Sequence, residues 1–330
     1  MSQAVEPDLD GSTNVLLAPV RGTDERRKLP KTMFVKRPAV FTVKFVFAVA
    51  IVAVAWVAVA LRPTWWVIAL SVIVNGLMYA HLVELQHETL HEHAYNKRGM
   101  NRFIGFLAGA PMLSSYWHYK HDHLRHHAYL GTPQNQEFFN YRFDGLGSIP
   151  GFVRGAYHLG RYLDVVKDTA RSLVGRTNPM ITKTVAAKKI RTEYQLFAVL
   201  IAAAIAYSVV AQNAYLVWVW VLPTLLVAEP THFLIEMPEH YGLNTQTDPD
   251  VLSNTRTIEA GWFAKWFTNG NDVHTAHHFH QGVPMVHVRE LHGVIENRVQ
   301  TVEPSYWAFY RDVFTGRITY QDSSENCMTR

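Results

Sequence analysis

The residues of this chain most suited to chemistry are histidines in three short clusters. Spacings of three and four residues place side chains on one face of a helix, so each cluster is able to aim its imidazoles at a common point. Neutral imidazole is the commonest protein ligand for a transition metal. Eight such ligands exceed the need of one ion, so we expect two metals to share them. The clusters are His87-Glu-Thr-Leu-His91, His123-Leu-Arg-His126-His127 and His274-Thr-Ala-His277-His278.

A further ligand is expected where the last long apolar run ends. His232, Glu236 and His240 could share one helix face there, although Pro238 is expected to interrupt or kink that helix. We expect one of the two histidines to bind metal. The remaining polar groups are candidates for orienting the ligating imidazoles.

The first cluster also matches HExxH, the pattern of zinc proteases, in which His87 and His91 bind zinc and Glu88 activates water. A hydrolase with a single zinc ion has no use for six further imidazoles, so the two HxxHH clusters argue against this interpretation. A histidine-rich metal transporter is the non-enzyme alternative. Its ligands should lie within the membrane along a pathway, whereas these clusters mostly follow the apolar runs.

Composition excludes several classes of protein. The chain has 330 residues and a single cysteine, Cys327, which rules out an intrachain disulfide, a CxxC zinc site and an iron–sulfur cluster held by its own cysteines. No GxGxxG dinucleotide loop is present, so the sequence shows no dinucleotide-binding domain of that kind. The net charge is +4, with basic residues beside apolar runs, which indicates membrane flanks rather than nucleic-acid binding.

Four apolar runs are long enough to cross a bilayer, since a spanning helix needs about 20 apolar residues. The longest uncharged stretch is best divided near Gln212-Asn213-Ala214 into a helical hairpin. Basic residues precede the first and third spans, which places both termini in the cytoplasm. We therefore expect an all-α integral membrane protein, with a cytoplasmic helical cap that holds a histidine-ligated dimetal site. The predicted spans are about 42–61, 64–84, 194–211 and 214–233.

The same pattern divides the chain into three parts. Residues 1–38 are expected to form a flexible cytoplasmic tail, 39–300 the membrane domain, and 301–330 a cytoplasmic C-terminal segment. Within the membrane domain, residues 150–175 alternate apolar and basic side chains, which is typical of an amphipathic helix on a membrane surface or of a half-buried cytoplasmic helix.

The three histidine clusters, called boxes from here on, resemble those of the membrane fatty-acid desaturase family, which is related to the membrane alkane hydroxylases. The resemblance covers roughly residues 40–300 and rests on the order HxxxH, HxxHH, HxxHH, with Val283-Pro284 and Leu291-His292 after the third box. Glu239-His240-Tyr241-Gly242 is similar to the EHYG segment that supplies an extra ligand in the alkane hydroxylases, which favours His240 over His232. Those hydroxylases carry Asn four residues before this histidine, where this chain has Glu236.

The resemblance implies a di-iron centre, O2 as co-substrate and attack on an unactivated C–H bond of a lipid-like acyl or alkyl chain. The box pattern favours desaturation, and hydroxylation is the alternative. It also implies a ferredoxin or small cytochrome as electron donor, recharged by an NAD(P)H-dependent reductase, and we expect the bacterial inner membrane as the location. Candidate docking charges for the donor, or anchors to anionic lipid, are Arg154, Arg161, Lys183, Lys188 and Lys189. The predicted catalytic and metal-binding residues are His87, His91, His123, His126, His127, His240, His274, His277 and His278.

Overall fold

Four long apolar helices dominate the computed structural model, which describes residues 29–320. Their number agrees with the prediction, and the all-α fold class is confirmed, with only two very short strands in the described residues. The third span starts earlier than predicted because the basic residues before it are helical as well. Residues 1–28 of the predicted tail and 321–330 of the predicted C-terminal segment lie outside the described residues. The candidate spans are Lys31–Leu61, Trp65–Leu90, Thr184–Val210 and Val217–His240.

The described helices and strands follow one another with short connections. The α-helices are α1 (Pro38–Leu61), α2 (Trp65–Leu90), α3 (Arg98–Gly109), α4 (Tyr116–Tyr129), α5 (Ile149–Ala156), α6 (Gly160–Leu173), α7 (Thr184–Val210), α8 (Glu229–His240), α9 (Val251–Asn254), α10 (Trp262–Phe267), α11 (His274–Phe279), α12 (Val288–Ile295) and α13 (Tyr306–Phe314). Two π-helical segments, Val217–Val221 and Pro223–Ala228, lead into α8. Strands β1 (Thr257–Ile258) and β2 (Val302–Glu303) pair in parallel.

The chain divides into two compact units, with boundaries inside α4 and α8. Of the described residues, the first unit contains 37–122 and 157–232, and the second contains 29–36, 123–156 and 233–320. In the first unit, α2 packs against α1, α3 and the π-helical segments, and α6 packs against α7. In the second unit, α11 packs against α9 and α12. Residues 150–175, predicted as one amphipathic helix, form α5 and α6 with a break between them.

The fourth span departs from α-helical geometry around a proline. Pro223 has no N–H to donate to the carbonyl of Val219, four residues earlier, as an α-helix would require. The Tyr79 hydroxyl donates to that carbonyl at 2.7 Å. An added Cβ at Gly76 would overlap the side chain of Val227, so glycine permits the close approach of α2 to this segment. The side chains of α2 therefore compensate for the broken helical pattern inside the membrane.

A buried ion pair links two other elements of the first unit. The Arg161 guanidinium donates to both carboxylate oxygens of Glu229, through Nε at 3.2 Å and Nη2 at 2.7 Å. The Tyr162 hydroxyl donates to the same carboxylate at 2.8 Å. Glu229 is fully buried and Arg161 is 5% exposed, so the two charges neutralise each other away from water. The expectation that Arg161 is a docking charge is therefore wrong.

Replacing Tyr79 with phenylalanine should destabilise the first unit. The change removes the donor to the Val219 carbonyl and the acceptor for the Trp56 indole N–H, which lies 3.0 Å from the hydroxyl. We expect the free energy of unfolding to fall by about 1–2 kcal/mol. Denaturation of detergent-solubilised protein measures this, with Tyr207→Phe on exposed surface of α7 as the control. Equal midpoints for the two variants would contradict the proposed role of Tyr79.

Candidate metal centre

The second unit gathers seven of the nine predicted ligands into two groups, and within each group the candidate donor atoms lie within 4.8 Å of one another. The four-histidine group consists of His126, His240, His274 and His278, and the three-histidine group of His123, His127 and His277. The groups adjoin, since the ring centroids of His127 and His278 are 4.2 Å apart. Two neighbouring metal positions are therefore available in this unit.

Each HxxHH box divides its imidazoles between the two groups. On α4, His123 and His127 belong to the three-histidine group, and the intervening His126 belongs to the other. On α11 the division is reversed, because His277 alone joins the three-histidine group. The expectation that each cluster aims at one common point is thus wrong for the two HxxHH boxes. Successive residues of an α-helix are rotated by about 100°, so the histidines three and four residues after the first one of a box face different groups.

Oxygen acceptors fix the orientation of three rings in the four-histidine group. Each of these rings has its Nδ1 atom 2.9 Å from an amide or backbone carbonyl oxygen. Because such an oxygen only accepts, the proton of the neutral imidazole belongs on Nδ1, and the lone pair is on Nε2. The pairs are His126 with Asn135 Oδ1, His240 with the Asn254 carbonyl and His274 with Asn271 Oδ1.

The Nε2 atoms converge in both groups. In the four-histidine group the Nε2 atoms of His126 and His278 are 3.2 Å apart, and those of His240 and His274 are 3.1 Å apart. In the three-histidine group the Nε2 atom of His127 lies 3.0 Å from that of His123 and 2.9 Å from that of His277. Two nitrogen ligands on one ion, with bonds of about 2.1 Å, stand roughly 3–4 Å apart. The residues present therefore fit transition-metal ions that accept imidazole, a set that includes iron and zinc.

Burial keeps these imidazoles in the form that binds metal. All seven are buried. Desolvation, followed by the neighbouring His127 and His274, holds the pKa of His278 well below its usual range. A neutral imidazole at physiological pH needs to lose no proton before it coordinates an ion.

A buried arginine holds the end of the helix that carries His240. Arg256 donates to the carbonyls of Pro238 and Tyr241, which flank His240 at the C-terminus of α8. Burial lowers the pKa of Arg256 to about 10, while Glu303 opposes this shift. Arg256 directly precedes β1, and Glu303 lies on β2. The small parallel sheet therefore positions the Arg256 side chain near the end of α8. A cation near the last carbonyls also stabilises the helix electrostatically.

The remaining predicted ligands lie in the first unit. His87 is in the last turn of α2 and His91 directly follows it, with their ring centroids 5.3 Å apart. His232 is buried in the same unit, with its Nε2 atom 3.6 Å from a carboxylate oxygen of Glu84. The structure thus brings His240, and not His232, into the four-histidine group.

Sequence reasoning missed the groups that orient the ligands. Asn135 and Asn271 contact histidines of the four-histidine group, Arg256 contacts the helix end that carries His240, and none of the three belongs to a recognised motif. Two carboxylates, Glu137 and Glu239, also border the four-histidine group. Of these residues, only Asn271 could have been suspected from the sequence, because it stands one helical turn before His274.

Comparison with known families identifies the chain. The family model described as fatty acid desaturase matches residues 63–310, a range that includes all three boxes and His240. The chain therefore belongs to the fatty acid desaturase family. A search of curated proteins finds no match. The family consists of oxidoreductases that are typically metal-dependent and use an electron donor; together with the histidine groups, it supports a desaturase- or hydroxylase-type function in a membrane protein.

Replacing Asn135 with alanine should weaken metal binding without removing a ligand. The His126 ring would lose the acceptor that fixes its tautomer, and we expect affinity to fall roughly 10- to 100-fold. Competition with a chelator of known affinity measures the change. Gln134→Ala, at the exposed neighbouring position, is the control. Equal affinities for the two variants would show that Asn135 does not orient the ring.

Proposed function

We propose that the protein is a di-iron membrane desaturase that uses O2 to introduce a double bond into a lipid-like acyl or alkyl chain. The observation that carries the proposal is the pair of adjoining, buried histidine groups in a member of the fatty acid desaturase family. Hydroxylation of an alkyl or small-molecule substrate is the second candidate, and the EHYG segment around His240 favours it.

All nine predicted histidines are proposed as metal ligands. His126, His240, His274 and His278 would hold one iron. We propose His123, His127 and His277 as ligands of the other iron, and His87 and His91, from the first box, as metal ligands too. When bound, the irons would supply the activation of O2 and the oxidation of a C–H bond. An imidazole ligand adds no negative charge of its own, so these histidines would leave the irons strongly cationic.

The residues of the chain would control this chemistry through orientation and exclusion of water. The oxygen acceptors behind His126, His240 and His274 keep each lone pair aimed at the metal position. The burial of all seven histidines of the second unit keeps bulk water away from that position. The placement of the substrate carbon would then decide between a double bond and an alcohol.

An apolar cavity in the first unit supports an alkyl substrate. It has a volume of about 600 Å³, within the range of roughly 300–1,000 Å³ that is usual for sites of small ligands. Its walls come mainly from α7 and the π-helical segments of the fourth span. Such a lining suits a hydrocarbon chain. Residues that line it include Ile201, Ala204, Leu216, Trp220, Val221 and Leu225.

Electrons are proposed to arrive from a ferredoxin or a small cytochrome that an NAD(P)H-dependent reductase recharges. The absence of a cysteine set and of a dinucleotide loop in the sequence supports an external donor. We further propose the bacterial inner membrane as the location, with both termini in the cytoplasm. The basic residues before the first and third spans support this orientation.

Metal content and turnover test the proposal together. The wild-type chain, purified in detergent after expression with iron, should hold close to two irons and convert an acyl lipid in the presence of O2 and a reduced ferredoxin. His126→Ala and His277→Ala should each lose iron and activity, because each removes a ligand from one group. His158→Ala, a histidine outside both groups, is the control. About one zinc with no iron, and activity that requires Glu88, would instead support a hydrolase.

Filling the cavity tests the substrate class. Ala204→Trp should shift the preference of the enzyme toward shorter alkyl chains and raise KM for long ones, because the indole would occupy space that the cavity now offers. Ala203→Trp, on the exposed face of α7, is the matched control. Product analysis across a series of chain lengths measures the change. Identical profiles for the two variants would show that the substrate does not use this cavity.

A further inference from the structure

Exposed tryptophans mark two places on the surface of this chain. All nine tryptophans fall within the described residues, and four of them are exposed. Trp65 and Trp66 begin α2 and the second span, where tryptophan is expected because its ring suits the boundary between membrane and water. The other two, Trp262 and Trp307, belong to the second unit and are 81% and 78% exposed. Their exposure needs a separate explanation.

The small parallel sheet brings Trp262 and Trp307 to one end of the second unit. Thr257 on β1 pairs with Val302 on β2, and each tryptophan follows its paired residue by five positions. Parallel strands run in the same direction, so both segments leave the sheet at the same end. There each segment starts a helix, because Trp262 is the first residue of α10 and Trp307 the second residue of α13. The two tryptophans therefore lie near the same end of the sheet.

The residues beside Trp262 are of the kinds found at the ends of membrane spans. Phe263 is 52% exposed, and its ring contacts that of Trp262 with the centroids 6.0 Å apart. Lys265 is exposed as well, about one helical turn after Trp262. Aromatic rings combined with lysine suit the membrane interface, because the rings enter the headgroup layer while the ammonium group stays in water. We call Trp262, Phe263 and Trp307 the aromatic surface.

The aromatic surface lies close to the end of a span. The fourth span ends at His240, and the backbone N–H of Arg256 donates to the carbonyl of the preceding residue, Glu239, at 2.9 Å. Trp262 follows Arg256 by six residues, which cover at most about 20 Å when fully extended. The headgroup layer extends about 5–8 Å beyond the hydrocarbon core that the span crosses. The surface of the bilayer is therefore within reach of Trp262.

Charge favours lipid over an acidic protein as the partner of this surface. Residues 259–265 carry one acidic and one basic side chain, Glu259 and Lys265, so the segment has no net charge. An acidic electron carrier would be steered to a positive patch, which this segment does not offer. A headgroup layer needs only apolar rings with polar groups beside them, and the aromatic surface with its neighbouring lysine meets that need.

We propose that the aromatic surface inserts into the headgroup layer of the bilayer and anchors the second unit to the membrane. The inference goes beyond the proposed function, because it holds for any activity of the histidine groups. Strand β1 packs against α11, which carries the third box. The anchor would therefore hold His274, His277 and His278 at a fixed depth relative to the lipid.

The fluorescence of the native tryptophans tests the proposal in the full-length protein placed in lipid nanodiscs. Subtracting the spectrum of a Trp262→Phe, Trp307→Phe double variant from that of wild type isolates the emission of these two residues. Lipids with brominated acyl chains should quench this difference signal strongly, and iodide in the water should quench it little, because the rings would lie among lipid molecules. Val294→Trp, at an exposed position of α12, is the control, and its added emission should respond to iodide but not to brominated lipid.

Two results would overturn the proposal. Quenching of the difference signal by iodide and not by brominated lipid would show that the aromatic surface lies in water. Protection from both quenchers would show that protein covers the surface, such as a second copy of the chain. Both substituted rings are exposed, so phenylalanine should leave the fold intact, and circular dichroism of the double variant checks this.

Discussion

The site depends on which nitrogen of each imidazole carries the proton. A histidine in water exchanges between two neutral forms, and only one of them has its lone pair on a given nitrogen. In the four-histidine group, an oxygen acceptor behind three of the rings selects the form with the lone pair on Nε2. Burial then removes the charged form from competition, as the low pKa of His278 indicates. Helix ends, turns and the small sheet hold the acceptors in place. Much of the second unit therefore helps to select the imidazole form with its lone pair on Nε2.

The first unit meets a related constraint in an apolar setting. Polar groups there need partners within the protein, because the bilayer offers none. The Tyr79 hydroxyl satisfies the Val219 carbonyl beside Pro223, and Arg161 neutralises Glu229. These contacts join elements that are far apart in the chain. They allow a broken helix and a buried charge to persist beside an apolar cavity.

Patterns local to the sequence predicted the four spans, the fold class and the histidines now found in two groups, because hydrophobic length and helical spacing are short-range properties. The division of each box between two groups follows from helical rotation, but choosing which ring goes where required the position of α11 beside α4. Two of the three acceptors were beyond prediction, because the Asn254 group is a backbone carbonyl and Asn135 lies in an irregular loop. The π-helical segments could not be predicted from the sequence either, because Pro223 alone indicates only a kink in the helix.

The reciprocal sharing of the two boxes has a mechanical consequence. His126 and His127 are adjacent on α4 yet serve different groups, and His277 and His278 do the same on α11. A sliding or rolling motion of one helix against the other would displace ligands of both ions at once. If both positions bind metal as proposed, the first ion would resist this motion and keep the ligands of the second position in place, so the two ions would bind cooperatively. The rigid geometry of neighbouring residues on a helix would then set the spacing between the two ions.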